Sequence, residues 1–384
     1  MKVCIISMTG LYPIEIGGPA SVSYFISREL GRMGDEITLF TRVKTEGQLK
    51  RIHDVEECLR NVRVQAVRMD YGLANLLNLP SLLGRIHEAT KSFSQWECDV
   101  VHYNSPPVDV AVLLPIQAKR RHEKQTLAIH GGLFYESRNI LGKNIVKAER
   151  DWFDRTVVLN GFSRRIALEA GIREERLVTI PNGVDLEALG KAEPMELEGE
   201  PRVLFAGRLA GIKGVHLLIE AFKRVLAEHR KARLYIVGDG PYRGQLEELA
   251  SALHVGKEIS FEGFIPETTE VYRYYKSADV LVLPSLMENF SITLLEAMGS
   301  RLPVIASDVE GNSEIIDDGV NGTLFAHGNS GELAEKILTI LSDRPLRMRM
   351  AERAYEGIKS AFTWDKVAES YREMFHSVID GNSN

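Results

Sequence analysis

The chain has 384 residues, of which 44% are hydrophobic and 26% are charged, and its formal net charge is −6. The length exceeds that of most single domains and predicts two of them. The composition excludes a disordered chain, and the negative charge disfavours a nucleic-acid-binding scaffold that relies on bulk positive charge.

The cysteines and the apolar runs limit the class of protein further. Cys4, Cys58 and Cys98 are far apart and form no Cys-x-x-Cys pair, so we expect neither a disulfide framework nor a cysteine-rich zinc site. No apolar run approaches the ~18 residues that span a bilayer. Gly10 and Pro13 end the first apolar stretch too early for a signal peptide. We expect a soluble, cytoplasmic protein.

Short apolar runs alternate with helical stretches in two series along the chain. Such runs are typical of parallel strands buried on both faces, and the segments between them are typical of crossover helices. The runs are residues 3–7, 36–41, 62–67, 99–102, 126–130, 156–159 and 178–180, then 203–206, 233–237, 259–262, 280–283, 303–306 and 322–325. The pattern predicts two doubly wound α/β domains with a cleft between the carboxyl ends of their sheets.

A Glu-rich stretch over residues 187–201 separates the two series and is the predicted linker. We therefore expect a first domain over residues 1–185 and a second over residues 186–364. A helical pattern over residues 346–361 is interrupted at 362–364, and Thr363 or Asp365 is a suitable cap for a new helix. We expect this last helix, residues 365–384, to return to the first domain.

The first domain offers two candidate contacts at the carboxyl ends of its strands. Gly17 and Gly18 follow the first strand at the entry of a helix, where they form either a phosphate or acceptor contact or an ordinary tight turn. His102 and His130 each end a strand, and a structural role is the alternative for both. Two glycines directly after His130 favour it as a ligand contact, because loops at strand carboxyl ends line the cleft.

Two other segments of the first domain leave a membrane contact open. Residues 71–86 are rich in Leu and Asn, and residues 119–124 form the densest basic run. If the substrate is lipid-linked, these segments would contact an anionic membrane surface. A core helix interrupted at Pro80 and a solvated charge run are the favoured alternative.

A glycine-rich segment with two cations follows the first strand of the second domain. It runs from Gly207 through Arg208 and Lys213 to Gly214, directly before a helix. Glycines let a ligand approach the backbone, and two cations suit a diphosphate. The spacing is neither that of a P-loop nor that of a dinucleotide fingerprint.

Two carboxylates flank the start of a later helix in the second domain. Glu288 lies in a loop after a buried strand, the helix begins near Ser291, and Glu296 lies within it. The free N–H groups at such a helix start suit a phosphate, whereas carboxylates suit sugar hydroxyls. A nucleotide sugar carries both groups. Two surface glutamates near a helix start are the alternative.

Two metal-binding motifs are missing from the sequence. Neither Asp-x-Asp nor His-Glu-x-x-His occurs. We therefore expect no metal and no other cofactor, and the charge of a leaving diphosphate would be neutralised by Arg, Lys and a helix start.

The order of these motifs resembles that of the retaining GT-B glycosyltransferases of glycosyltransferase family four, the group that includes glycogen synthase. The resemblance spans almost the whole chain. Its motifs are Gly17-Gly18, residues 99–102, His130-Gly131, residues 180–185, Gly207-Arg208 with Lys213-Gly214, residues 237–241, residues 288–298 and residues 303–306.

The resemblance implies a GT-B fold, a reaction and a set of site residues. A sugar would pass from a UDP-, GDP- or ADP-linked donor to an acceptor hydroxyl with retention, by front-side attack in which the leaving phosphate accepts the proton. Arg208 and Lys213 would bind the diphosphate, Glu296 the ribose hydroxyls, and His130 the donor sugar. The implied catalytic residues are His130, Arg208, Lys213 and Glu288, and the implied donor-binding residues are Gly17, Gly18, Gly207, Arg208, Lys213, Phe264, Ile265, Glu288, Asn289, Phe290, Ser291 and Glu296.

One alternative of a different class stays open at this point. The chain would then be a catalytically silent member of the same fold that binds nucleotide sugars or serves as a partner subunit. The joint presence of Arg208, Lys213, Glu288 and Glu296 argues against it. No nucleic-acid partner is expected, and the acceptor and the oligomeric state are left open.

Two positions depart from the family pattern. The family usually places Gly two residues before Pro303, where this chain has Arg301, and we expect Gly299 to end the preceding helix earlier instead. The family also shows paired glycines ahead of a Glu, and residues 310–314 keep only Gly311. This change puts the Glu310 carboxylate close to the implied donor-sugar contacts.

Overall fold

The computed structural model describes residues 1–7, 10–14, 18–68, 96–104, 123–130 and 153–381. The chain divides into two compact units. One unit consists of Met1–Pro181 and Trp364–Asn384, and the other of Asn182–Thr363. Each unit is built on a parallel sheet with helices, which confirms the predicted α/β class with two doubly wound domains.

The strands of the described residues overlap the predicted apolar runs. They are β1 (Lys2–Ser7), β2 (Glu36–Val43), β3 (Val62–Arg68), β4 (Val100–Tyr103), β5 (Lys124–Ala128), β6 (Arg155–Val158), β7 (Leu177–Thr179), β8 (Arg202–Ala206), β9 (Arg233–Val237), β10 (Ile259–Gly263), β11 (Val280–Leu283), β12 (Val304–Asp308) and β13 (Thr323–Ala326). Every residue of β4 and of β11 is buried. Because both faces of such a strand are covered, its sequence is apolar without alternation.

The helices of the described residues lie mostly between these strands, as crossover connections do. They are α1 (Gly18–Arg32), α2 (Glu46–Glu57), α3 (Gly161–Glu169), α4 (Leu186–Lys191), α5 (Val215–Glu228), α6 (Arg243–Ala252), α7 (Thr268–Ser277), α8 (Ile292–Gly299), α9 (Glu310–Ser313), α10 (Ser330–Ser342), α11 (Arg344–Ala361) and α12 (Trp364–Ile379).

The order of the strands reverses once in each sheet. Within the described residues the first sheet has the order β3-β2-β1-β4-β5-β6-β7, and the second has the order β10-β9-β8-β11-β12-β13. The chain therefore adds strands to one side of β1 or β8 and then continues on the other side with β4 or β11. In open α/β sheets, the carboxyl ends of the strands at such a switch point form the usual ligand site.

The last helix, α12, packs in the first unit against α1. The ring of Trp364 stacks on that of Phe25, with a distance of 5.0 Å between the centroids. The guanidinium of Arg372 contacts the buried carboxylate of Asp35, at 2.8 Å from Nε to Oδ2. A stacked pair of aromatic rings and an ion pair thus attach the chain's final helix to the unit that contains its first strand.

One disulfide is present, although the spacing of the cysteines predicted no disulfide framework. Cys4 in β1 and Cys98, two residues before β4, form a disulfide with 5.9 Å between their Cα atoms. The pairing of β1 with β4 in the sheet brings these residues together, although they are 94 positions apart. Cys58 is a free, exposed thiol.

No helix among the described residues is long and apolar enough to cross a bilayer. Residues 71–86 lie outside the described part of the chain, and so do residues 119–122 of the basic run. The membrane contact considered for these segments stays a prediction.

Arg301, at the position where the family resemblance implies a glycine, has a left-handed backbone conformation. Helix α8 ends at Gly299, but the residue with left-handed geometry is Arg301, at φ 59°. The helix thus ends at Gly299 as expected, but Gly299 does not take the left-handed conformation, which Arg301 adopts instead. The Arg301 side chain contacts Glu352 at 2.7 Å from Nε to Oε2, and its guanidinium lies 3.4 Å from the centre of the Tyr355 ring. Both partners lie in α11, so these contacts join the end of α8 to that helix.

Replacement of Arg301 by two small residues separates the backbone cost from the side-chain contacts. Arg301→Ala and Arg301→Gly both lose the contacts with α11, but only glycine adopts φ 59° without steric cost. We expect the alanine variant to be less stable than the glycine variant by about 1 kcal/mol in urea unfolding. Arg349→Ala, an exposed position on α11, is the control and should match the wild type. Equal stability of the alanine and glycine variants would contradict this account.

Candidate functional site

Two loops at the switch point of the second sheet contain most of the predicted site residues. One loop, residues 207–214, follows β8, and the other, residues 284–291, follows β11. The backbone N–H of Leu286 donates to the carbonyl oxygen of Ile212 at 2.7 Å, which joins the two loops directly. Lys213 in one segment and Glu288 in the other are 75 residues apart in the sequence, and the strand order brings the two segments together.

Gly214, in the loop after β8, and Gly238, directly after β9, let neighbouring loops approach closely. A Cβ atom added to Gly214, at φ 63°, would lie 2.0 Å from the carbonyl oxygen of Pro284. A Cβ atom on Gly238 would lie 2.0 Å from the carbonyl oxygen of Gly207. Any side chain at either position would push the loops apart, so these glycines set the shape of the candidate site.

Lys213 and Glu288 form an ion pair between the two loops. The distance from Nζ to Oε2 is 2.6 Å, and the side chains are only 21% and 14% exposed. The hydroxyl of Ser285 also donates to Glu288 Oε2, at 3.2 Å. The structure therefore brings together two residues that the sequence singled out separately. Arg208 lies in the same loop as Lys213, is exposed, and forms no ion pair with another described residue.

The loop after β11 ends at the start of α8. The Ser291 hydroxyl caps the helix by accepting the N–H of Leu294 at 3.3 Å, at the position where the sequence predicted the start of a helix. The side-chain amide of Asn182 donates to the carbonyl of Phe290 at 3.2 Å and is buried. Asn182 was singled out only as part of a family motif. Its contact across 108 residues fixes the backbone of the loop at the helix start.

Glu296 lies one turn into α8 and faces α7. The Tyr275 hydroxyl donates to Glu296 Oε2 at 3.0 Å. Burial of the carboxyl group raises the pKa of Glu296 to about 7, and hydrogen bonds from Tyr275 and Tyr272 act in the opposite direction. Both tyrosines were missed at the sequence level, because their apolar rings resemble ordinary core residues.

Phe264 and Ile265 follow β10, on the far side of β9 from the Lys213–Glu288 pair. Phe264 is exposed and Ile265 is half-buried. The carbonyl of Gly263 accepts the N–H of Gly238 at 2.8 Å, so this loop is attached to the loop that packs on Gly207. No hydrogen bond or ion pair within the described residues links Phe264 or Ile265 to Lys213 or Glu288.

His130 in the first unit is linked to the start of α1 through Asn104. His130 Nε2 is hydrogen-bonded to Asn104 Oδ1, and the Asn104 amide donates to the carbonyl of Pro19 at 2.9 Å and to the Ser23 hydroxyl. Burial lowers the pKa of His130 to about 4, so the ring is neutral. Asn104 was missed; its place directly after β4, at the switch point of the first sheet, is the signal that identifies it.

The other predicted positions of the first unit differ from one another. Gly18 begins α1, is exposed, and has no atom within 4 Å of a Cβ built on it. Gly17 and Gly131 lie outside the described residues. His102 is buried, and its Nδ1 lies 2.9 Å from the Thr126 hydroxyl. Burial and the neighbouring His130 lower its pKa to about 3. These contacts favour the structural role for His102.

Gly311 is the glycine that supports the Glu288 loop. A Cβ atom at this position would lie 2.3 Å from the carbonyl oxygen of Glu288 and 2.4 Å from that of Asn289. Glu310 is exposed, on the turn of α9 before Gly311. Glu310, which departs from the family pattern, is thus at a position where a side chain fits. Gly311, the retained glycine, is at a position where no side chain fits.

Two family models of known glycosyltransferases match the chain. Residues 16–188 match the model of Glycosyltransferase Family 4, and residues 191–357 match the model of Glycosyl transferases group 1. The two models together cover both halves of the chain. The first half of the chain is thus similar to one glycosyltransferase family and the second half to the other, in agreement with the resemblance that the motifs indicated.

Several relatives are similar to parts or all of the chain. An uncharacterized glycosyltransferase of Methanocaldococcus jannaschii is 38% identical over 48% of this chain and 46% of that protein. The chain spans about half the length of the curated relatives that it matches at this level. Glycogen synthase of Mycobacterium tuberculosis is 25% identical over 94% of this chain and 92% of that protein.

A solved structure supports the fold over the whole chain. The Anabaena protein HepE, in a crystal structure with UDP and glucose, has a TM-score of 0.78 and 19% identity. The likeness covers 98% of this chain and 100% of that one. The fold is therefore GT-B, as the sequence predicted.

An added methyl group at Gly311 tests the packing of the Glu288 loop. In Gly311→Ala the Cβ atom would displace the carbonyls of Glu288 and Asn289, and we expect a loss of about 1–3 kcal/mol in unfolding free energy. The matched control is Gly357→Ala, in an exposed stretch of α11 where a Cβ atom meets nothing within 4 Å. It should be neutral or stabilising by up to about 1 kcal/mol. Wild-type stability of Gly311→Ala in urea unfolding would contradict the packing described.

Proposed function

We propose that this chain transfers a sugar from a nucleotide-diphosphate donor to an acceptor hydroxyl, with retention and without a metal ion. The observation that carries the proposal is the Lys213–Glu288 pair, 2.6 Å from Nζ to Oε2. It puts a cation and a carboxylate side by side at the carboxyl ends of β8 and β11, next to the start of α8. A nucleotide sugar has a diphosphate for the cation and hydroxyls for the carboxylate.

The diphosphate would be bound by Arg208, by Lys213 and by the start of α8. A lysine ammonium has three N–H donors, so Lys213 can contact a phosphate while it contacts Glu288. Arg208 is exposed and has no ion pair in the described part of the chain. The backbone N–H groups near Ser291 add the positive end of a helix dipole.

The same groups would stabilise the transition state. The bond between the anomeric carbon and the phosphate oxygen breaks, and negative charge accumulates on the leaving diphosphate. Preorganised cations and N–H groups then bind more strongly than in the ground state. The acceptor oxygen attacks the anomeric carbon from the same face, and its proton passes to the leaving phosphate oxygen. The retention and the front-side course follow from the family resemblance.

The remaining residues would bind other parts of the donor. Glu288 would accept hydrogen bonds from the donor sugar, and Glu296 from the ribose hydroxyls. Phe264 and Ile265 would lie near the base. The neutral ring of His130 would exchange a hydrogen bond with the donor sugar rather than supply a charge. The donor would also contact the backbone amides of Asn289, Phe290 and Ser291. Three glycines, Gly17, Gly18 and Gly207, would let it approach the backbone closely.

A catalytically silent nucleotide-sugar-binding or partner subunit of the same fold is the second candidate. Both candidates bind nucleoside diphosphates, and a bound ligand raises the melting temperature in a thermal-shift screen of UDP, GDP and ADP. Only an enzyme slowly releases nucleoside diphosphate from UDP-, GDP- and ADP-linked sugars without an acceptor. Release from one donor of such a panel therefore supports the proposal, and binding without any release supports the silent subunit.

Alanine variants separate the diphosphate contacts from the ribose contact. Loss of one preorganised donor to a developing charge typically lowers a rate by ~10²–10³, so Arg208→Ala and Lys213→Ala should lower kcat for nucleoside diphosphate release to about that extent. Glu296→Ala should raise the donor KM and leave kcat nearly unchanged, because ribose hydroxyls acquire no charge.

Lys223→Ala, an exposed lysine on α5, is the control for these variants and should resemble the wild type. Unchanged kcat in both Arg208→Ala and Lys213→Ala would place the diphosphate elsewhere. So would a Glu296→Ala variant that loses kcat at an unchanged donor KM.

Removal of divalent metal ions should leave the activity intact. Asp-x-Asp is absent from the sequence, and the proposal already assigns cationic groups to the diphosphate. We expect the same rate of nucleoside diphosphate release with and without EDTA. Loss of turnover in EDTA, with recovery on addition of Mg²⁺ or Mn²⁺, would show that the electrostatic account is wrong.

A further inference from the structure

Two buried tyrosines of α7 converge on a single carboxylate of α8. Tyr272 and Tyr275 are three residues apart, on one face of the helix, and are only 3% and 2% exposed. The Tyr275 hydroxyl donates to Glu296 Oε2 at 3.0 Å, and the Tyr272 hydroxyl also donates to this carboxylate. Tyr274, between them, donates instead to Glu262 Oε2 at 2.8 Å.

The two phenols leave half of the carboxylate's hydrogen-bonding capacity unused. An ionised carboxylate offers about four lone-pair sites, and the tyrosines occupy two. The two that remain match a pair of neighbouring hydroxyl groups, such as the 2′ and 3′ hydroxyls of a ribose. The tyrosines thus fix the orientation of Glu296 and leave two of its acceptor sites for a diol.

The tyrosines also favour the ionised form of Glu296. Burial raises the pKa of this carboxyl group to about 7, and the hydrogen bonds from Tyr275 and Tyr272 oppose that shift. Burial and the neighbouring Glu296 raise the pKa of Tyr275 well above its usual value, so this phenol stays protonated and remains a donor. Besides α7, the elements that pack on α8 are α4, α11 and β12. Among the described residues, no charged side chain of these elements or of α8 itself interacts electrostatically with Glu296.

We propose that Tyr275, together with Tyr272, is a positioning residue that holds the Glu296 carboxylate in the orientation and charge state in which it accepts both ribose hydroxyls. The inference rests on the proposed function, since it takes Glu296 as the ribose contact. Helix α7 has no predicted donor contact of its own. Under this inference it controls the affinity for the ribose and the pH at which the donor binds.

The test compares a ribose with its analogue that lacks both hydroxyls. The probe is whichever of UDP, GDP and ADP binds most tightly in calorimetry, together with its 2′,3′-dideoxy analogue. The ratio of the two Kd values measures recognition of the diol alone. It is determined between pH 6 and 9 for the wild type, Tyr275→Phe, Tyr272→Phe and Glu296→Gln. The matched control is Tyr274→Phe, which removes a phenol–carboxylate hydrogen bond from the same helix.

The wild type should prefer the ribose, and the preference should weaken as the pH falls through about 7 because the protonated carboxyl group accepts fewer hydrogen bonds. In Tyr275→Phe the preference at neutral pH should fall by roughly tenfold or more, the usual effect of a lost hydrogen bond to a charged group. Its pH dependence should move to higher pH, so that part of the preference returns at pH 9. Tyr272→Phe should change in the same direction, and Tyr274→Phe should match the wild type.

The possible failures are distinguishable. The positioning role is overturned if Tyr275→Phe and Tyr272→Phe keep the wild-type ratio of Kd values and the wild-type pH profile. It is also overturned if the ratio in these two variants falls equally at every pH and falls in Tyr274→Phe as well. If Glu296→Gln keeps the full preference for the ribose, the assignment of Glu296 in the proposed function is wrong. If none of the three nucleotides binds, the proposed function fails and this inference fails with it. Should Tyr275→Phe not fold, Tyr272→Phe decides the outcome alone.

Discussion

The reversal of strand order between β8 and β11 is the constraint on which the candidate site depends. The chain builds β9 and β10 on one side of β8 and then returns to build β11, β12 and β13 on the other side. The loops after β8 and β11 consequently leave adjacent strands from the same edge of the sheet. Lys213 meets Glu288 for this reason, and glycines at 214 and 311 are needed because neighbouring backbone lies where their side chains would be.

The electrostatics of the site follow from that placement. Cations come from the loop after β8, carboxylates from the loop after β11 and from α8, and the helix start contributes N–H groups between them. The carboxylates differ in their partners: Glu288 contacts an ammonium, whereas Glu296 contacts only phenols among the described residues. Burial raises the pKa of Glu296 to about 7, which makes its charge sensitive to pH near neutrality. A donor with one anionic and two hydroxyl-bearing parts fits this distribution.

The sequence predicted whatever depends on local pattern. Continuous apolar runs located every described strand, because both faces of a parallel strand are covered, and Ser291 marked the start of α8. The rule that carboxyl ends of parallel strands meet at one edge brought Arg208, Lys213 and Glu288 to the same region. The contacts of Asn182, Tyr272 and Tyr275 were not predictable, because each joins separate segments of the chain and leaves no periodic signal. The Cys4–Cys98 disulfide escaped for the same reason, because only the pairing of β1 with β4 brings these residues together.

Hydrogen exchange with and without a bound nucleoside diphosphate tests the central claim most directly. The claim is that the ligand lies on the loops after β8 and β11 and at the start of α8. With the diphosphate of UDP, GDP or ADP that binds, the account predicts slower exchange of backbone amides in residues 207–214 and 288–294. It predicts unchanged exchange in α10 and α11 of the same unit. Protection confined to other segments, with residues 207–214 and 288–294 unaffected, would contradict it.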